Sequence, residues 1–455
     1  MKVILPEQLK KLAENCPSDL FVVGGYVRNF LINGSISADL DIAAAMSAEQ
    51  IAKAANACGF KVVAEYKRTG TVVIFDGERK YEYTRFRTDS YERGGKHTPE
   101  NTDFTDDIAL DAHRRDFKCN AVYYDINKDE IVDPLCGVAD IKNKVLDTVL
   151  NPETVFCSDG LRLMRLARFA AELGFTPTVG ALAGAKKYAE NIKDIAPERI
   201  FDELKKILVA DGKYPFSDPN GHYTGVKILE KIGVFDILFP ELAAGRGITQ
   251  RADFHKYDVL EHTFRTLLYA DKDIRLAALL HDVGKPYCMQ NFGKFKAHAE
   301  YGALIAADIL KGLKADKKTT EKTVFLVKNH MFDLKNSEPD CTVRLFIAEN
   351  QDYFYSLTKL KQADFSACKD DLSVCPTVLK WTEIYEKMQK DGTPFSLKDL
   401  KITPAYLVEI GFKKREIGEE LKRLYEYAVM TPFANDAEIL KEKAKADFKS
   451  KIYSA

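Results

Sequence analysis

Apolar residues recur along this chain with two different periods, and the change from one to the other divides it. Up to about residue 150 they stand in short alternating runs or compact blocks, the pattern of strands interleaved with helices. Beyond it, stretches such as LRLMRLARFAAEL (161–173) and ERIFDELKKILV (198–209) repeat at three- and four-residue spacing, as amphipathic helices do. In the first part the pattern predicts a helix over 5–16 and a buried strand at Phe21, Val22 and Val23 that runs into Gly24-Gly25. A helix over 26–32 follows, broken by Asn33-Gly34-Ser35, then a strand over 39–45 and a helix starting at Ser47. Asp76-Gly77, between TVVIF and KYEYTRF, reads as a hairpin turn. Residues 90–105, rich in Gly, Lys, Thr, Pro and Asn, read as a loop long enough to imply a working role.

The length, 455 residues, exceeds what one hydrophobic core serves, so several domains are expected. Breaks near 241–252 and 370–376 mark candidate boundaries, and no internal repeat is visible. The expected layout is a head at 1–145, a helical neck and body at 146–245, a third domain at 246–375 and a helical tail at 376–455.

Composition narrows the class. With 46% hydrophobic and 30% charged residues the chain reads as a globular protein, and no apolar run approaches membrane-spanning length. The amino-terminal stretch lacks a secretory pattern, so a cytoplasmic location is expected, with no membrane partner. Nine scattered cysteines without a CxxC pair argue against a disulfide framework and a cysteine zinc site. A net charge of -1 excludes a strongly basic nucleic-acid binder but leaves room for a local basic patch.

The chemistry begins at GGYVRNFLINGSISADLDIA, residues 24–43. On a strand Asp39 and Asp41 face the same way, and two neighbouring carboxylates are costly unless a cation lies between them. The pair therefore points to a divalent metal. Glu82, in the strand KYEYTRF, is the best-placed third carboxylate. Gly24 and Gly25 precede a helix whose amides can meet a phosphate, with Arg28 close behind. Arg114, Arg115 and Asp116 stand before an apolar strand and read equally as a structural ion-pair knot or a nucleotide clamp.

The motifs GGYVRN, DLD, RRDFKCNA, DPLCGVADIKNKVL and SDGLRLMRLARFAAELGF, in this order and spacing, resemble the class II tRNA nucleotidyltransferase and bacterial poly(A) polymerase family over about the first half of the chain. The resemblance implies an α+β architecture, with a polymerase-β-like head of mixed sheet and helices followed by all-helical parts. It also implies Mg²⁺-dependent addition of nucleotides from CTP and ATP to a tRNA 3′ end, and no DNA partner. By the same resemblance Asp39, Asp41 and Glu82 are catalytic, and Gly24, Gly25, Arg28, Arg115, Asp116, Asn120, Asp159, Arg162, Arg165 and Arg168 bind nucleotide. Asp159 and Arg162 would read the incoming base. Three positions depart from the pattern: Ser158 replaces a glutamate, Gly160 a proline, and Lys118-Cys119 a Thr-Ile pair.

A second cluster lies in YDVLEHTFRTLLYADKDIRLAALLHDVGKP. A helical hairpin would bring His262 beside the His281-Asp282 doublet, with Asp364 added from a later helix. Mixed imidazole and carboxylate donors suit Mg²⁺ or a divalent transition metal better than a closed structural zinc site. The set resembles the HD phosphohydrolase superfamily, which implies His262, His281, Asp282 and Asp364 as metal ligands. It implies Lys285, His298 and His330 as phosphate or second-metal residues. His255 reads as an ordinary satisfied histidine, and the lysine-rich tail as a solvated helix face.

The leading expectation is a CCA-adding tRNA nucleotidyltransferase with a phosphohydrolase domain. Its rivals are a poly(A) polymerase, an enzyme adding only A or only CC, and an HD phosphohydrolase whose head merely holds nucleotide or RNA.

Overall fold

The structure is a computed structural model that describes residues 3–34, 40–90, 95 and 100–454. The chain forms two compact units, Met1–Pro240 with Gly312–Ala315, and Glu241–Lys311 with Asp316–Ala455.

In the first unit, seven strands make one sheet: β1 (Phe21–Val23), β2 (Leu40–Ala44), β3 (Lys61–Tyr66), β4 (Thr71–Phe75), β5 (Lys80–Arg85), β8 (Tyr123–Asp125) and β9 (Glu130–Val132). They lie in the order β3-β4-β5-β2-β1-β8-β9. Only β2 and β5 run parallel; the other neighbours are antiparallel. The β4–β5 turn falls at Asp76-Gly77 as expected, with Phe75 paired to Lys80. Ser47 caps the helix Ala48–Ala57 through a reciprocal box with Gln50, which fixes the exit from β2. Val23, Ala43, Phe86, Ala121 and Tyr123 form the core on one side of the sheet.

Three local expectations need correction. Residues 90–105 are not simply a loop, because β6 (Arg87–Ser90) and β7 (Asn101–Phe104) pair as an antiparallel ribbon. Its polar cross-strand pairs, such as the Thr102 hydroxyl donating to Asp89, carry no apolar alternation to read. Residues 91–94 and 96–99 of that stretch lie outside the described residues. Next, RRDF does not lead directly into a strand; a 3₁₀ turn, Lys118–Asn120, precedes β8. Finally, the part after 146 is not wholly helical, since β10 (Val145–Leu146) pairs in parallel with β11 (Thr176–Pro177). Two residues are too few to show a period.

The rest of the first unit is built on the helix Leu161–Leu173, which buries 11 of its 13 residues. The helices Pro197–Leu208 and Gly221–Lys231 pack against it. The second unit is helical, with Ala278, Leu326, Ile347, Leu357, Leu360 and Trp381 in its main core. Leu407, Leu424, Leu440 and Ala444 form a separate core toward the carboxyl end. Among the described residues, no helix is long and apolar enough to cross a membrane.

Candidate functional site

The parallel pairing of β2 with β5 sets Asp41 directly opposite Glu82. Leu40, Ile42, Tyr81 and Tyr83 are buried, whereas Asp41 and Glu82 are exposed, so the two carboxylates share one open face. Like charges facing across a sheet are destabilising, and a divalent cation removes that cost. The donors therefore suit Mg²⁺. Asp39, expected on the same face, lies outside the described residues.

The chain passes this face at Gly24, whose φ of 79° and ψ of -135° are open in practice only to glycine. A Cβ there would lie 3.7 Å from Asp41 Oδ2 and 4.0 Å from Arg115 Nη1. Gly25 opens the helix Gly25–Asn33, which buries Arg28 to 2% exposure. Arg28 donates from Nε and Nη2 to Asn29 Oδ1 (3.1 and 2.9 Å), from Nη1 to Asn120 Oδ1 (2.5 Å) and from Nη2 to the Tyr214 hydroxyl (3.3 Å). Among the described residues each of these acceptors is neutral. A buried guanidinium surrounded by neutral oxygens lacks its counter-charge, and a phosphate supplies one.

Asn120 links Arg28 to an ion pair, since its Nδ2 donates to Asp116 Oδ1 (3.2 Å). Asp116 meets Arg165 Nη2 at 2.6 Å. Burial pushes the Asp116 carboxyl up, but the charges of Arg165 and Arg162 overcome it and bring the pKa down to about 2. Arg114 and Arg115 both reach Asp111, at 2.7 and 3.2 Å. Burial works against the charge of Arg115, while Tyr123, Asp111 and Asp41 favour it and raise its pKa. Asp111 was missed in the sequence, although it stands three and four residues before the arginines, the usual helical ion-pair spacing.

Asp159 and Arg162 come together with their side chains buried, Arg162 Nε standing 3.9 Å from Asp159 Oδ2. Arg162 also donates to the Arg114 carbonyl (2.6 Å) and the Ser158 hydroxyl (3.2 Å). Ser158 thus still braces this arginine where a glutamate is usual. At Gly160 a Cβ would come 2.2 Å from the Asn191 carbonyl oxygen, so proline has no room there. Arg168 pairs with Glu203 (2.6 Å) and Glu172 (3.4 Å) and stands over the Phe169 ring that Arg28 and Arg165 also face.

In the second unit, His262 comes from the helix Val259–Tyr269, the His281-Asp282 doublet from the end of Arg275–Leu280, and Asp364 from Phe354–Lys369. His262 Nε2 lies 2.9 Å from Asp364 Oδ1 and 3.5 Å from Asp282 Oδ2. His281 Nε2 is 3.2 Å from Asp282 Oδ2. The other carboxylate oxygen of Asp282 faces His298 (3.3 Å) and His330 (3.6 Å). Lys285 Nζ is 2.6 Å from Asp282 Oδ2 and donates to Gln250 Oε1 (2.7 Å).

His281, His298 and His330 each place Nδ1 against a backbone carbonyl three residues earlier, at 2.8, 2.8 and 2.7 Å. A carbonyl only accepts, so these Nδ1 atoms carry hydrogen, and in the neutral rings the lone pair sits on Nε2. The Nε2 atoms of His298 and His330 then face each other at 3.2 Å. Two lone pairs at that distance repel unless a cation or proton lies between them, and this donor set fits a metal. Burial lowers the His281 pKa, but the charge of Asp282 outweighs it and raises it overall; burial brings His330 down to about 4. The sets His262-His281-Asp282 and Asp282-His298-His330 each gather ligand atoms within 4.8 Å, as does His255-His262-Cys368.

His255 is not the satisfied histidine expected. Its ring stands edge-on to His262 at 4.8 Å, and its Nδ1 has no hydrogen-bond partner among the described residues. Tyr214, on Arg28, carried no motif and was also missed.

Family models match three segments of the chain. The poly A polymerase head domain covers residues 20–147, the probable RNA and SrmB-binding site of polymerase A covers 174–245, and the HD domain covers 259–357. An A-adding tRNA nucleotidyltransferase of Deinococcus radiodurans is 32% identical over 78% of this chain and 77% of its own length. A CC-adding tRNA nucleotidyltransferase of Thermus thermophilus is 29% identical over 90% and 89%. The crystal structure of the Bacillus stearothermophilus CCA-adding enzyme in complex with CTP superposes with a TM-score of 0.67 at 18% identity, covering 99% of this chain and 100% of that one. That likeness establishes the fold.

Proposed function

The chain belongs to the tRNA nucleotidyltransferase and poly(A) polymerase family, and we propose that it is a cytoplasmic CCA-adding enzyme, transferring CMP and AMP from CTP and ATP to the tRNA 3′ end. The observation that carries this reading is the open Asp41/Glu82 carboxylate face beside a buried Arg28 whose described partners are all neutral. An acidic face next to an uncompensated cation is what a metal-bound triphosphate requires.

In the reaction the tRNA 3′-hydroxyl attacks the α-phosphate, the bond to the β-phosphate breaks, and pyrophosphate leaves. Asp41 and Glu82, with Asp39, would hold Mg²⁺, which when bound supplies Lewis-acid activation of the hydroxyl and charge neutralisation for the leaving pyrophosphate. Arg28 and the amides after Gly24 grip the phosphates, and Arg115 adds a second cation beside Asp41. Asp116 and Arg165 steady Asn120, which orients the Arg28 guanidinium. Asp159 and Arg162 offer acceptors and donors to a base edge, selecting the nucleotide without a template strand.

The relatives include A-adding, CC-adding and CCA-adding enzymes, so the deciding experiment offers the purified protein a tRNA lacking CCA with CTP alone, ATP alone and both. The proposal requires CC from CTP, and completion to CCA only with both. Long ATP-only extension would indicate a poly(A) polymerase; ATP added only to a tRNA already ending in CC would indicate an A-adding enzyme.

A second activity is favoured by the facing imidazoles around Asp282. With a transition metal or Mg²⁺ held there, the second unit would hydrolyse phosphate esters, including terminal or 2′,3′-cyclic phosphates on RNA. Release of phosphate from p-nitrophenyl phosphate that depends on added metal tests it.

A further inference from the structure

One of the hydrogen bonds made by Arg28 reaches a residue 186 positions further along the chain. Past the helix Pro197–Leu208 the chain makes the short turn Ala210–Gly212 and reaches Tyr214. The Tyr214 amide donates to the Ser217 hydroxyl (3.0 Å), which in turn donates to the Glu172 carbonyl (2.7 Å). The Tyr214 ring stacks on Phe216 with centroids 5.1 Å apart and planes 8° from parallel. The backbone is thus anchored to the end of the helix Leu161–Leu173, and the ring is held by Phe216. From that anchor the hydroxyl accepts from Arg28 Nη2 at 3.3 Å. The Arg28 guanidinium carbon lies 5.9 Å from the Tyr214 ring centre and 5.3 Å from that of Phe169.

An arginine has five N–H donors. Four hydrogen bonds from Arg28 end on Asn29, Asn120 and Tyr214, which leaves one N–H, on Nη1, without an acceptor among the described residues. The two asparagines come from the same unit's helix Gly25–Asn33 and turn Lys118–Asn120. Tyr214 shares Nη2 with Asn29 and, among the described residues, adds the guanidinium's one hydrogen bond from the helical part of the unit.

We propose that Tyr214 is a positioning residue of the triphosphate pocket: it aligns the Arg28 guanidinium so that its remaining donor is presented to a phosphate oxygen of CTP or ATP. This rests on the nucleotidyltransferase reading of the head and adds to it a residue no motif marks. Because the phosphates are common to both nucleotides, Tyr214 acts on CTP and ATP alike, and it leaves the tRNA contact unchanged.

The test is Tyr214→Phe, which keeps the ring and its stacking and removes only the hydroxyl. The KM for CTP and for ATP should each rise by about 3- to 10-fold, the worth of one ordinary hydrogen bond. The KM for tRNA should stay unchanged and kcat should move by less than about twofold. In an Arg28→Lys background the same substitution should have no further effect, because the hydroxyl acts through that guanidinium. Inorganic tripolyphosphate binding, followed by calorimetry, should weaken by the same factor. An unchanged nucleotide KM, a rise confined to tRNA, or full additivity with Arg28→Lys would overturn the proposal. If the unsubstituted protein incorporates neither nucleotide, the functional reading fails, while the tripolyphosphate comparison still decides whether Tyr214 sets the anion affinity of Arg28.

Discussion

Asp41 and Glu82 are direct partners across β2 and β5, 41 residues apart in sequence and side by side on the exposed face of the sheet. The pairing stores repulsion that a bound cation relieves. Asp41→Asn should therefore lower nucleotide incorporation by at least about 10³-fold. Glu82→Gln should lower incorporation by about 10- to 100-fold. Both variants should keep the phosphate release proposed for the second unit. Equal loss of both activities would contradict separate sites.

Asp282 stands between His262 and His281 on one carboxylate oxygen and His298 and His330 on the other. Asp282→Ala should abolish phosphate release and metal retention, measured by elemental analysis, while nucleotide incorporation stays within about twofold. His298→Ala should remove no more than one ion per chain, because His262, His281 and Asp364 remain.

The Gly284 position sets how closely the helix Gly284–Phe292 approaches His298, since a Cβ there would lie 2.1 Å from the His298 carbonyl oxygen. Gly284→Ala should destabilise the second unit by about 1–3 kcal/mol, the usual cost of overpacking. It should also weaken metal retention, as thermal denaturation with and without metal would show.

Glu420 gives stability a pH dependence. It is buried at 1% exposure, and burial together with the Asp447 charge raises its pKa from 4.5 to about 7, against the opposing charge of Arg423. The folded chain then holds this proton more tightly than the unfolded one. Its contribution to stability is complete below pH 4.5, falls as pH rises toward 7, and stays low above that. Glu420→Gln should raise stability by roughly 2 kcal/mol at pH 8 and change it little at pH 4, as denaturant titration at the two pH values would reveal.

The amino-acid sequence by itself determined what neighbours along the chain can express. It carried the shift from mixed strands to helices, the glycine pair before a helix, the hairpin at Asp76-Gly77, and the histidine and aspartate spacing of the second unit, because periodicity and turn chemistry are local properties. It also marked Asp41, Arg28 and Asp282 as residues with chemistry to do. Only the tertiary structure decided which partners complete them. The β2–β5 register put Glu82 against Asp41, helix packing brought Tyr214 onto Arg28, and helices distant in sequence turned His298 and His330 toward the far oxygen of Asp282. The ribbon β6–β7, the turn at Lys118–Asn120 and the unsatisfied His255 escaped sequence reading for the same reason. The ribbon and the turn are fixed by backbone hydrogen bonding that no apolar period announces, and His255 by its packing against His262.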